Sequence, residues 1–227
     1  MKPLKLFKWI LILVLLAAAT CGIWIGAQGY GMYQEALDRE KLEDKIRQIR
    51  ENTDFVPFDQ LPQTYVDAVV AVEDHRFFSH GGIDWIAILR AVFNNLKAGE
   101  IVEGGSTITQ QLARNLYFTQ EETLKRKAAE LFAALRLERD CGKEEILELY
   151  VNVIYFGEGY YGIGEASRGY FGKEPSQLTP EECMMLAGIP NAPSVYAPTV
   201  HPELARERQE QVESCMEEYG YLEKEAA

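Results

Sequence analysis

VVAVEDHRFFSHGGID, residues Val69 to Asp84, opens apolar, sets an acidic pair at Glu73 and Asp74, and closes on His80, Gly81 and Gly82. An apolar run that ends in a carboxylate is an unfavourable local pattern, because burial disfavours the charged form and raises its pKa. A carboxyl placed there suits general-base work near neutral pH. The competing reading is an ion pair between Glu73 and Arg76 at a helix end, and structural pairs of this kind are as common as catalytic ones. A second block downstream, GGSTITQQLARN from Gly104 to Asn115, weighs toward chemistry.

Around these blocks the chain has 227 residues, enough for one domain with appendages. Its 47% hydrophobic and 26% charged residues exclude both a disordered chain and a wholly membrane-embedded one. A net charge of −12 excludes a general nucleic-acid binder, which would carry a basic field. Much of the acid, ten of the 35 residues, lies after Thr179, whereas Arg114, Lys125, Arg126 and Lys127 sit close together. Cys21, Cys141, Cys183 and Cys215 show no CxxC spacing and read as free thiols.

Lys2, Lys5 and Lys8 precede an uncharged run from Trp9 to Gln34. Its strongly apolar part, Trp9 to Ala27, is close to the ~20 residues that cross a bilayer. Ala17, Ala18 and Ala19 leave a cleavable signal peptide as the alternative. The apolar core is long for that, and Trp24 and Tyr30 fall where an interface belt would lie. Cys21 follows Thr20, which makes a lipoprotein site weak. The expected organisation is a cytoplasmic tail at 1–8, a transmembrane anchor at 9–30, a juxtamembrane linker at 31–54 and a domain at 55–227. The lysines place the N-terminus in the cytoplasm, so the protein is expected in the plasma membrane, single-pass, with its domain outside. Glu35 to Asn52 is strongly charged, with Leu37, Leu42, Ile46 and Ile49 at loose helical spacing. It reads as a solvated juxtamembrane helix or spacer, with a short partner-binding helix as the alternative.

The remainder reads helical. Pro62 suits the first turn of a helix reaching Glu73, and Asp84 is a good N-cap for the next. There Trp85, Ile88, Leu89, Val92, Phe93 and Leu96 follow helical spacing until Gly99. Further helices are expected at Thr107 to Asn115, at Thr123 to Glu138 (apolar at Leu124, Ala128, Leu131, Phe132 and Leu135), and at Lys143 to Val151. Thr179 to Glu182 is a capping box with Pro at the first helical position, and the last helix runs from near Pro202 to Gly220. Period-two alternation is almost absent, so the expected fold class is mostly α.

In the second block, Gly104 and Gly105 would let backbone approach a ligand, and Ser106 and Thr107 open a helix whose free N–H groups favour anions. Gln110 and Arg114, four apart, share one face, while Ile108 and Leu112 share another that faces the core. Amide and guanidinium groups suit sugar hydroxyls and phosphate; a capped surface helix is the plain alternative. Lys127 and Glu130, three apart in a third block, are either an intrahelical ion pair or a cation for phosphate beside a second carboxylate. A fourth block, ILELYVNVIYFGEGYYGI, is a helix entering a Gly- and Tyr-rich loop, and by composition alone it reads equally as packing.

EDHRFFSHGG, GGSTITQQLARN, RKAAE, ILELYVNVIYFG with YGI, and AGIPNAPSVYAP together resemble the five ordered motifs of glycosyltransferase family 51, the peptidoglycan glycosyltransferases. The resemblance spans roughly Phe55 to Pro198. It implies a lysozyme-like α-helical domain behind a single transmembrane helix. No SxxK or KTG occurs, so the chain resembles the monofunctional members.

The implied reaction is polymerisation of lipid II into β-1,4-linked glycan, with inversion and release of undecaprenyl pyrophosphate. Glu73 would be the base that deprotonates the acceptor hydroxyl, and Glu130 would support the acid/base site or the leaving group. Asp74, Phe77, His80, Gly81, Ser106, Thr107, Gln110, Gln111, Arg114, Arg126, Lys127, Asn152 and Tyr155 match substrate-binding positions. Members commonly carry Arg four residues before the Arg126–Lys127 pair; Glu122 stands there, and Lys125 is the expected substitute. No cofactor is expected, apart from possible stimulation by Mg²⁺ or Mn²⁺; His75, His80 and His201 form no ligand set. Trp85 to Val102 matches a membrane-dipping segment, where Trp85, Ile86 and Phe93 either touch lipid or pack in the core. Expected partners are lipid II, glycan on undecaprenyl pyrophosphate, the membrane and penicillin-binding transpeptidases, with no nucleic acid. Two rivals remain open: a lytic muramidase or transglycosylase, and an inactive scaffold of the cell-wall machinery.

Overall fold

The computed structural model describes residues 3–100, 104–119, 121 and 123–223. The helices in order are α1 (Pro3–Arg39), α2 (Leu42–Arg50), α3 (Gln63–Glu73), α4 (Trp85–Ala98), α5 (Ile108–Tyr117), α6 (Leu124–Asp140), α7 (Lys143–Val153), α8 (Gly162–Phe171), α9 (Pro180–Gly188), α10 (Pro193–Tyr196) and α11 (Pro202–Glu218). No strand occurs among the described residues, so the mostly α expectation holds. The caps explain several boundaries. The Asp84 carboxylate accepts from the N–H groups of Ile86 and Ala87, Thr107 caps α5, and the Thr179–Glu182 box opens α9. Each such cap contributes about 1 kcal/mol. Gly99, left-handed at φ 76°, ends α4.

The core forms where α5 lies against α6 and α7, and where α3 lies against α9 and α11. Tyr65, Val69 and Val70 of α3, Ile108 and Leu112 of α5, Leu147 and Tyr150 of α7, and Val212 and Met216 of α11 belong to one buried cluster. The apolar run that opens the decisive stretch is therefore the core face of α3, and it delivers Glu73 at the helix's last residue.

Helix α1 is long and apolar enough to cross a membrane, and it continues without a break to Arg39. Its last turns are part of the domain. Gly29 meets α6 so closely that an added Cβ would lie 2.4 Å from the Ala128 Cβ, and Tyr30 sets its ring edge-on to Phe132 at 5.2 Å. The solvated spacer expected from Glu35 to Asn52 is instead docked: Ala36 and Leu42 are buried, and Arg50 pairs with Glu145 and Glu148 of α7. The narrow stripe of Leu37, Leu42, Ile46 and Ile49 is enough to hold it, with its charges facing water.

Two helices depart from their apolar pattern. Helix α6 buries Ala129, Ala133, Ala134 and Leu137, with Arg126 and Glu130, while Leu124 and Leu135 stay exposed. Small residues let helices come close: at Ala128 and Ala129 the neighbour is Gly29 of α1, while the larger leucines fall outside. On α4, Trp85, Ile86, Leu89, Val92, Phe93 and Leu96 are all more than half exposed. The core-packing reading of that stripe does not hold.

Candidate active site

The chain leaves α3 at Glu73 and is at once tied to α5. The Asp74 carboxylate accepts from the Ile108 N–H (3.1 Å) and meets His80 Nε2 at 2.8 Å. The Gly82 carbonyl accepts from Thr107 Oγ1 (2.9 Å) and Gln110 Nε2 (3.0 Å). Asp84 pairs with Arg76, and although burial opposes it, this guanidinium and the Ala87 N–H hold its carboxyl below the ordinary range. These bonds set the spacing between the end of α3 and the start of α5. A Cβ at Gly105 would lie 3.1 Å from the Ile88 Cα, so glycine there lets α4 close against the loop.

Glu73 is partly exposed as a residue, yet its Oε1 atom is buried and has no hydrogen-bond partner. Its Oε2 accepts from Gln111 Nε2 at 2.7 Å, and the Tyr150 hydroxyl donates to Gln111 Oε1 at 3.1 Å, which fixes the amide's orientation. Burial pushes the Glu73 carboxyl up from its ordinary range; the Gln111 amide, Arg208 and Arg114 oppose this, and Asp74 adds to it. A buried carboxylate with one oxygen anchored and the other free is built to accept a proton. Tyr150→Phe should leave the fold intact and lower turnover about three- to tenfold by loosening Gln111. Unchanged kinetics in that variant would remove Tyr150 from the account.

The cleft beside Glu73 is a cavity of about 260 Å³ that reaches Gly104 and Ser106 on one side and α11 on the other. Ser106, Gln111, Arg114 and Asn191 line its continuation, and Tyr155 and Tyr161, with ring centroids 4.9 Å apart, line the end beyond Arg114. Lys127 Nζ donates to Ser106 Oγ at 2.6 Å and lies 3.1 Å from Glu130, whose carboxylate also pairs with Arg126. Glu130 is 1% exposed, so Arg126 and Lys127 hold it from both sides.

Glu73, Ser106, Gln111, Arg114 and Tyr155 therefore share the groove, with Lys127 and Glu130 linked to it through Ser106. Five residues expected to bind substrate have partners within the protein, although Asp74 and Thr107 also line the Glu73 cavity. Phe77 is fully buried under Lys143, whose Nζ lies 4.3 Å from the ring centroid. The Asn152 amide is used up on the Val56 backbone and the Glu148 carbonyl. Gln110, Thr107 and Asp74 spend their polar atoms on the loop junction just described. Gln110 and Arg114 do not present a common polar face; Gln111 joins Arg114 instead, because the Gly82 carbonyl draws Gln110 inward. His80 is partly buried beside Asp74, Gly81 is exposed, and Lys125 is exposed five residues before Glu130. Arg126, being buried, serves Glu130. Glu122 lies outside the described residues. Two further residues line the cavity: Asn191, which lies within AGIPNAPSVYAP, and Arg208, which lies outside every motif.

Asp74, His80 and Asp84 bring ligand-type atoms within 4.8 Å of one another. The Asp74 and Asp84 oxygens already accept from the Ile108, Ile86 and Ala87 N–H groups and from Arg76, whereas His80 Nδ1 is buried without a hydrogen-bond partner.

A family model described as transglycosylase matches residues 40–217. Penicillin-binding protein 1F of Bacillus subtilis is 42% identical over 234 residues, covering 97% of this chain and 32% of that protein. A Cupriavidus necator protein provisionally named as a transglycosylase is 46% identical over 179 residues, covering 79% of this chain and 77% of that protein. Penicillin-binding protein 1A of Escherichia coli K12 is 40% identical over 240 residues, covering 96% of this chain and 28% of that protein. The chain thus spans less than a third of the length of these two penicillin-binding proteins.

Proposed function

The chain belongs to the transglycosylase family, glycosyltransferase family 51, and from that premise we propose that it polymerises lipid II into β-1,4-linked glycan at the outer face of the plasma membrane. The growing glycan on undecaprenyl pyrophosphate is the donor, and the 4-hydroxyl of an incoming lipid II is the acceptor. The observation that carries this reading is the free, buried Oε1 of Glu73 in a cleft shared with Ser106 and Arg114. Oε1 takes the hydroxyl proton as the oxygen attacks the donor's anomeric carbon. The bond to pyrophosphate breaks on the opposite face, which inverts the centre, and the electron pair leaves on the phosphate oxygen. Lys127, held by Ser106 and Glu130, and Arg114 act where that negative charge develops. Glu130 supports the leaving group by fixing Arg126 and Lys127.

The test is purified protein with labelled lipid II, followed by gel separation of glycan, beside the same protein with isolated sacculus. Lengthening glycan is expected in the first, and no solubilised fragments in the second. Release of fragments without lengthening would favour the lytic rival, and neither activity would favour a scaffold. Stimulation by Mg²⁺ or Mn²⁺, where it occurs, is assigned to an ion carried by the substrate's pyrophosphate, since the Arg76 guanidinium already neutralises Asp84.

Lys125 is exposed and stands as the proposed substitute for the cation that Glu122 replaces. Lys125→Ala should raise the donor concentration needed for half-maximal rate by about two- to tenfold at low salt. Donor dependence equal to wild type at every ionic strength would reject the substitution.

In this account α1 anchors the enzyme with its N-terminus in the cytoplasm, and the exposed apolar face of α4 enters the lipid where the substrate tails lie. Penicillin-binding transpeptidases are the proposed partners that cross-link the product. A chain starting at Gly26 keeps the α1–α6 contact but loses most of the anchor. It should still bind liposomes, less tightly than the full chain, and Leu89→Ser with Phe93→Ser should release it. Equal liposome binding by both shortened chains would show that α4 does not touch lipid.

A further inference from the structure

Arg208 lies on α11, yet it lines the same cavity as Glu73 and Ser106. Its head group is seated by three contacts. Nε donates to the Gly188 carbonyl at the end of α9 (3.3 Å), Nη1 donates to Gln211 Oε1 (3.0 Å), and the guanidinium carbon lies 5.8 Å from the centroid of the Tyr196 ring. Both hydrogen-bond acceptors are neutral oxygens, so these bonds leave the charge uncancelled. Because α11 packs on both α3 and α9, the fold carries this cation to the buried end of α3.

We propose that Arg208 is a positioning residue for the transfer reaction: seated on Gly188 and Gln211 in the wall of the Glu73 cavity, it holds Glu73 as the proton-accepting carboxylate. This rests on the reading of Glu73 as the base. A base must be ionised before it can act, and burial works against that. The groups around Glu73 define what Arg208 adds. Asp74 and His75 follow it in the chain, and Tyr65 lies on the same helix. Gln111 and Arg114 face it from α5, Tyr150 from α7, Asp84 from the N-cap of α4, Arg90 from α4, and Cys215 and Tyr219 from α11; Tyr219 stacks on His75 with centroids 4.1 Å apart. Burial raises the Glu73 carboxyl most strongly; of the charges that lower it, Arg208 stands ahead of Arg114. Arg114 is assigned to the substrate. Once pyrophosphate rests against it, that negative charge offsets its field, and Arg208 remains as the standing counter-charge.

Gln211→Glu is the sharpest test. Position 211 is exposed, the new side chain is nearly isosteric, and its carboxylate would sit beside Arg208 Nη1. It cancels the charge and leaves the packing in place. The acid limb of kcat/KM for lipid II should move to higher pH. Activity at about pH 5.5 should fall roughly three- to tenfold against wild type, while activity at about pH 8 stays within about twofold. Arg208→Gln should move the limb the same way, and Arg208→Lys, which keeps the charge, should largely restore it. An acid limb unmoved in Gln211→Glu overturns the inference, whether or not Arg208→Gln folds. Glu73→Gln in the same assay separates the two readings. If that variant is active, the base assignment itself fails; if it is inactive and the Gln211→Glu limb is unmoved, only the role of Arg208 fails.

Discussion

Glu73→Gln lowers glycan synthesis by about 10²–10⁴-fold, the range that a positioned general base supplies, while lipid II binding stays near wild type. The amide oxygen can still accept from Gln111, so the α3–α5 junction keeps its shape. The stability of the variant has a defined sign. Burial raises the folded-state pKa of Glu73, so the charged carboxyl opposes folding, fully so above that raised pKa. Glu73→Gln should therefore melt at or above the wild-type temperature at neutral pH, and the difference should shrink as pH falls toward the ordinary carboxylate range. Calorimetry at two pH values checks the stability, and the lipid II assay checks the rate. A variant that turns over normally, or that melts well below wild type at neutral pH, contradicts the description of this carboxyl.

Glu130→Ala should behave in the opposite way, losing stability as well as activity. Its carboxylate is buried between Arg126 and Lys127, and removal leaves the Arg126 guanidinium buried without a counter-charge. Breaking one side of a buried pair costs about 3–5 kcal/mol. Lys127→Met is the control. It keeps the Arg126–Glu130 pair and removes a cation that is 39% exposed, so stability should stay near wild type while turnover drops about 10²–10³-fold. Denaturant unfolding of both variants distinguishes them. If Glu130→Ala is as stable as Lys127→Met, Glu130 does not hold the cations together.

What was legible in the sequence was largely local. Asp84, Thr107 and the Thr179–Glu182 box mark helix starts through bonds within three residues, so their chemistry shows in the letters alone. The apolar run before Glu73 foretold a buried carboxyl because helix periodicity alone sends Val69 and Val70 inward. The five motifs carried the family, and the family match covers them. What failed depended on tertiary contact. Gln110 and Gln111 are chemically identical neighbours, and only the position of the Gly82 carbonyl, 28 residues away, decides which one turns to Glu73. Leu124 and Leu135 have the look of core on α6, but the face that α6 buries carries Ala129, Ala133 and Ala134 instead. Asn152 and Phe77 lie in motifs and also make internal contacts, to the Val56 backbone and in the core, which a motif match does not separate from binding. Arg208 gave no signal, since nothing before residue 200 indicates that α11 will close on the end of α3.

The central claim is that this cleft joins sugars and expels pyrophosphate. Its most direct test is the stoichiometry of one incubation: purified protein with lipid II, measuring both the undecaprenyl pyrophosphate released and the new glycosidic bonds that a β-1,4-specific muramidase can cleave. The account predicts one pyrophosphate for each new bond in the wild type, and neither product with Glu73→Gln. Pyrophosphate released without new bonds, or glycan formed equally well by Glu73→Gln, would contradict it.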